Sequence, residues 1–208
     1  MLHIDVSSDI DKAIAEVGNF WRREIPFATS KALTDTAFVV RKHITDVTYA
    51  KAFKVRNTVF PGRQWRVTEK ATKSKLVAVV DSVRDDGYFE RFVTHADGGT
   101  RKAYKGKNIA VPVDPEKVRT GTGRVAAAKK PMALKDSFVI GKGKTKLIAT
   151  RDKRSGKAVV RYVVKPTVKI TKTFRFYEDA ERVTIDSFPT HWSRAMATAI
   201  ATSRFTQT

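Results

Sequence analysis

The sequence predicts an α+β fold: amino-terminal helices and a long carboxy-terminal helix packed on an antiparallel β-sheet, with an extended basic loop. Three observations carry this reading. Apolar residues recur at helical spacing near both ends of the chain. They alternate with polar residues through much of the middle, as half-buried strands do. Between the two alternating regions the chain turns rich in lysine, glycine and proline, with the short piece Ile109–Val113 as one added strand. The 208 residues fit a single α+β domain spanning 1–208, with 100–135 as a basic extended arm within it. Apolar residues make up 41% of the chain and charged residues 30%, a balance that supports a core.

The first fifty residues read as helical. Ser8 and Asp11 form a candidate cap pair, and Ile10, Ala13, Ile14, Val17, Phe20 and Trp21 follow at helical spacing. Pro26 suits the first turn of a second helix, where its missing N–H costs little. Leu33, Ala37, Val40, Ile44 and Val47 then form a narrow apolar seam, which reads either as a core helix face or as an oligomer contact.

From Phe60 the period changes. Pro61 and Gly62 punctuate, after which Trp65, Val67, Leu76, Ala78, Val80 and Val83 alternate with polar neighbours. Tyr88, Phe89 and Phe92 are expected to continue the strands, with His95–Gly99 as a turn. Strand signals return at Phe138–Ile140 and Lys146–Ala149. The segment Arg151–Gly156 reads as a turn and Ala158–Val164 as the answering arm of a hairpin, with Val168 and Ile170 extending the sheet. A broad stripe through Ala180, Val183, Ile185, Phe188, Trp192, Ala195, Met196, Ala199 and Ile200 gives the last helix, which Pro189 either kinks or restarts. Trp192 and Met196 join the seam as an oligomer or core face. No fixed repeat is present.

Charge narrows the function. Forty-one Lys and Arg stand against 21 Asp and Glu, a net +20, and +18 of it lies between Arg101 and Arg175. Such a block favours polyanions or strongly acidic protein surfaces. Arg101, Lys102, Lys105, Lys107, Arg119, Arg124, Lys129 and Lys130 are the candidate polyanion- or partner-contacting residues of the arm. Tyr104 is the single aromatic between Arg101 and Lys135, which disfavours a dedicated single-strand binder that stacks bases.

Catalytic readings fare poorly. Gly141–Thr145 has Gly-Lys-Thr but Phe138 where a phosphate loop needs glycine, and strand residues follow where it needs a helix. His3, His43, His95 and His191 lack paired ligand spacing. Asp85 and Asp86 are adjacent, which points their carboxylates apart. No G-x-S-x-G segment occurs. With no cysteine, disulfides and thiol chemistry are excluded. The chain reads as no enzyme, with no catalytic residue, metal or cofactor. No apolar run is long enough to span a membrane, and the acidic start of the chain is unlike a secretory signal.

The segment Ile25-Pro-Phe-Ala-Thr-Ser-Lys-Ala-Leu-Thr-Asp-Thr-Ala37 resembles the opening of the minor tail protein Z family of tailed phages, also called tail completion proteins. The later order is similar too: a strand region with a basic loop, an apolar hairpin, and a terminal helix of the form Phe188-x-x-x-Trp192-x-x-Ala195. The chain departs from that pattern at Asp35, where many members carry Asn, and in its lysine-rich middle. The resemblance implies a structural neck protein that completes the head-proximal end of the tail and mediates head–tail joining. It implies a homo-oligomeric ring, such as a hexamer, meeting tail terminator, tail tube and head connector proteins, with contact to packaged DNA and no membrane. The implied location is the virion, and the host cytoplasm during assembly. The competing expectation, from charge alone, is a non-specific nucleic-acid-binding protein using the block 101–175.

Overall fold

The structure is a computed structural model, and it describes residues 4–6, 21–83, 88–103, 108–141 and 146–202. In chain order the elements are β1 (Ile4–Val6), α1 (Trp21–His43), α2 (Tyr49–Ala52), α3 (Val59–Gln64), β2 (Trp65–Glu69), β3 (Ala78–Ser82) and α4 (Tyr88–Asp97). They continue with β4 (Gly99–Lys102), β5 (Ile109–Pro112), α5 (Pro115–Val118), β6 (Ser137–Ile140), β7 (Lys146–Arg151), β8 (Ala158–Lys165), β9 (Thr167–Ile170) and α6 (Phe176–Thr202). The mixture of helices with antiparallel sheets and the long carboxy-terminal helix is the α+β class. The chain divides into two compact units: Met1–Ala96 with Thr173–Thr208, and Asp97–Lys172 between them.

In the first unit α1 and α6 run antiparallel. Thr29 meets Trp192 near one end of the pair and Thr48 meets Asp179 near the other. Leu33, Ala37, Val40 and Ile44 are all buried, and they share one cluster with Ala180 and Val183 of α6. The seam is therefore core of this subunit. Beyond Ile44 the backbone widens into a π-helical turn, Ile44–Thr48, so burial passes to Thr48 and leaves Val47 half-exposed. Three antiparallel strands in the order β1-β3-β2 lie in the same unit, with Val67 opposite Val80.

An aromatic cluster completes that core. Trp65 is fully buried, with ring centroids of Phe176 at 4.9 Å, Phe92 at 5.4 Å and Phe174 at 5.7 Å. Arg41 fixes the approach to β2, because Nε donates to the Trp65 carbonyl and Nη2 to the Gly62 carbonyl, each at 2.9 Å. The His95 carbonyl accepts the backbone amides of Thr173 and Phe174 at 2.9 and 3.0 Å. That pair of bonds is where the chain re-enters the first unit.

The second unit holds two sheets. One is the ribbon β4–β9, and the other is four-stranded in the order β5-β8-β7-β6. The expected hairpin is β7 with β8, closed by the turn at 152–157.

Four expectations are corrected and one alternative is decided. Residues 88–97 form a helix and not a strand: Phe89, Phe92, Val93 and Ala96 fall at helical spacing, and Phe92 and Ala96 are buried one turn apart. Gly98 ends it with φ 76°, a left-handed step that suits glycine. Pro26 lies inside α1, five residues past its first residue, where burial of Ile25, Ala28 and Thr29 offsets the lost N–H. Of the two readings of Pro189, the restart is excluded, since α6 runs unbroken from Phe176 to Thr202. Val168 and Ile170 belong to the β4–β9 ribbon and not to the larger sheet. The stretch 100–135 is not an extended arm throughout, since it contributes residues to β4 and all of β5 and α5, and β5 pairs Ile109–Pro112 with β8. The strand expected at Ile109–Val113 is β5, Ile109–Pro112. The expected cap at Ser8 and Asp11, the helix residues up to Phe20, the pair Asp85–Asp86 and most of Gly141–Thr145 lie outside the described residues.

Leu33→Asp places an unpaired charge where Leu33 has no exposed surface. It is expected to cost several kcal/mol, about 3 or more, and to lower the melting temperature steeply by circular dichroism. Wild-type melting would contradict burial of that face.

Candidate functional site

Two places in the chain carry the residues that the sequence singles out. The first is the α1–α6 pair, which unites the segment 25–37 with the segment 188–195. Ala28 and Ala32 pack on Ala195 and Ala199, and Phe188, Trp192 and Met196 cover this small-residue contact. Small side chains let the two backbones approach closely. The Trp192 indole Nε1 donates to Thr29 Oγ1 at 3.1 Å. At the other end Thr48 Oγ1 donates to Asp179 Oδ2 at 2.7 Å, and Arg182 and His43 lie 3.4 and 4.0 Å from the same carboxylate. Burial pushes the Asp179 carboxyl up, but the bonds from Thr48 and Arg182 and the charges of Arg182 and His43 outweigh it and hold the carboxyl below its usual range.

The second place is a cleft of about 1210 Å³ within the second unit. One set of its lining residues comes from α5 and its carboxy-terminal cap: Glu116, Lys117, Val118 and Arg119. Lys129, Leu134, Lys135 and Asp136 add a second stretch, and the end of β7 with its turn adds Thr150 to Arg154. Arg161 and Tyr162 of β8 complete the lining. Eight of these side chains are basic and three acidic. The whole unit carries 21 basic against five acidic residues, a net +16.

Local chemistry builds this cleft. Asp152 Oδ1 accepts the amides of Arg154 at 3.1 Å and Ser155 at 2.8 Å and the Ser155 hydroxyl at 2.9 Å, and Gly156 closes the turn with φ 65°. The backbone amide and hydroxyl of Ser155 hold the Asp152 carboxyl below its usual range, so it stays ionised. Asp114 caps α5 through the amides of Glu116 and Lys117, with Pro115 at the first helical position. Arg161 Nε donates to Thr150 Oγ1 at 3.0 Å, and the Arg151 guanidinium lies 5.4 Å above the Phe138 ring. The buried Tyr162 donates its hydroxyl to the Lys129 carbonyl, and burial pushes its phenol up.

Of the residues expected in the arm, Arg119 and Lys129 line the cleft. Arg101 and Lys102 are exposed on β4. Arg124 is exposed in a tight loop, where its carbonyl accepts the amide of Thr120 at 2.8 Å, and Lys130 is exposed between two 3₁₀ turns. Lys105 and Lys107 lie outside the described residues. Sequence reasoning missed Arg151, Lys153, Arg154 and Arg161 as site residues. Their signal was present as three bases within the four residues 151–154 of one hairpin turn. Among the described residues no group of three metal-ligating side chains occurs, and no helix is long and apolar enough to cross a membrane. Compared with protein-family models, curated proteins and solved structures, the chain matches none.

Because Asp152 holds the cleft's hairpin turn, Asp152→Ala is expected to speed hydrogen exchange at the Arg154 and Ser155 amides while global melting barely moves. Asp152→Asn, which still accepts, is expected to retain much of the protection. Unchanged exchange in the alanine variant would show that the carboxylate does not hold the turn.

Proposed function

We propose that this chain is a structural protein of the tailed-phage neck, completing the head-proximal end of the tail and mediating head–tail joining as an oligomeric ring. The observation that supports this reading most is the pairing of the two resembling segments. Residues 25–37 and 188–195 are far apart in sequence, yet Trp192 bonds Thr29 and the alanines of both segments share one contact. They supply the scaffold of a subunit, with no reaction required of it.

A ring subunit needs two different surfaces that fit each other. With Leu33, Ala37, Val40 and Ile44 buried, the exposed apolar residues of the same helices are the ring contacts: Phe27, Phe38 and Val39 on α1, and Ile185 and Ile200 on α6. The neighbours above and below the ring are the tail terminator and tube on one side and the head connector on the other.

Quantitative mass spectrometry of purified particles, with heads and tails isolated separately, tests the proposal. A small fixed copy number found with tails is the expected result, and a chain missing from the particle contradicts it. Phe38→Asp combined with Ile185→Asp is expected to abolish ring formation in sedimentation while the far-ultraviolet spectrum stays native. Retention of the ring would move the contacts elsewhere.

A further inference from the structure

We infer that the cleft of the second unit holds the sugar–phosphate backbone of double-stranded DNA and does not read its sequence. The inference gives the nucleic-acid contact expected from charge a site and a duplex form, and it stands on the cleft alone.

Charge is the first argument. The cleft's acids do not neutralise its bases by number, since three acidic side chains stand against eight basic ones. Arg119, Lys135, Lys153 and Arg154 make no ion pair among the described residues. Their charges are left for a ligand, and a concave wall with so large an excess of one sign concentrates a counter-charged partner.

Geometry is the second. Arg161 is held through Nε on Thr150, and Arg151 is held over the face of Phe138. A guanidinium positioned by its neighbours loses less freedom when it meets phosphate, and its planar donors match two phosphate oxygens at once.

The third argument separates duplex from single strand. Unstacked bases need an aromatic face. The cleft's aromatic, Tyr162, is 2% exposed with its hydroxyl on the Lys129 carbonyl, so it offers none. A duplex keeps its bases stacked on each other and presents phosphates alone, which is what this lining can bind. An acidic protein partner would want an apolar centre to its interface. Val118 and Tyr162 are buried behind the cleft, which leaves half-buried Leu134 as its sole accessible large apolar side chain.

The test uses the full chain and fluorescence anisotropy with a 30-base-pair DNA duplex in two unrelated sequences. Single-stranded DNA, duplex RNA and polyglutamate serve as rivals. Equal affinity for both duplex sequences is expected. With about four phosphates engaged, affinity should fall about a hundredfold between 50 and 200 mM salt. Lys153→Glu with Arg154→Glu, on an exposed turn, is expected to weaken duplex binding at least tenfold and to flatten the salt dependence. Arg119→Glu, in another part of the lining, should weaken it independently. Arg22→Glu with Arg23→Glu removes the same charge from the first unit and is expected to have a much smaller effect. Circular dichroism checks that each variant is folded. Tighter binding of single strands, duplex RNA or polyglutamate overturns the assignment, as do equal losses from the control pair or the absence of salt-dependent duplex binding. The neck reading fails by copy number and this one by anisotropy, so each can fail alone.

Discussion

Burial of Trp65 against Phe174 and Phe176 is the constraint on which the first unit depends. The indole sits 5.7 and 4.9 Å from those two rings, although they arrive more than a hundred residues later. Tyr49, Phe53 and Phe60 pack on Phe92 from the earlier part of the chain, but the indole of Trp65 is closed over only when Phe174 and Phe176 arrive. Truncating one such ring costs about 3–5 kcal/mol, a large share of the 5–15 kcal/mol that holds a typical domain. The two amides given to the His95 carbonyl by Thr173 and Phe174 place the returning chain in register with that core. From Phe176 the helix then runs back along α1, and its alanines set how closely the two can approach.

The two units use different physics. The first carries a net +4 and most of the buried apolar side chains, including every member of both hydrophobic clusters. The second carries +16, and its buried residues among those described are Val118, Ala149, Thr150 and Tyr162. With so small a core, strand pairing and turn chemistry take over. Asp114 and Asp152 each satisfy two or more backbone amides, and β8 pairs on both sides. The scarcity of acids then has a consequence: five against 21 bases leave the unit an excess of positive charge for something outside the chain.

What could be read in the sequence divides along the same line. The buried face of α1 and the course of α6 showed in their periods, because each buries a stripe against one long partner. The β7–β8 hairpin showed through its alternation and turn residues. Residues 88–97 misled, since aromatics at short spacing suit either period and only Phe92 and Ala96, one turn apart and both buried, decide for helix. Pro26 misled for a different reason: tertiary packing along α1 outweighs the local cost of a missing N–H. The cleft was legible only as a sum of charge. Its lining comes from four separate stretches, and no local pattern joins Arg119 to Arg161 before the sheet does.

If the first unit closes on its own aromatic core, the second is an insertion between Ala96 and Thr173, and His95, next to Ala96, already accepts the amides of the returning segment at Thr173 and Phe174. Deleting 97–172 and joining Ala96 to Thr173 through a short Gly–Ser linker is the most direct measurement of that claim. The account predicts a helical protein that melts cooperatively, with Trp65 fluorescence still that of a buried indole. A product without a cooperative transition, its tryptophan emission shifted to that of a solvated indole, would contradict it.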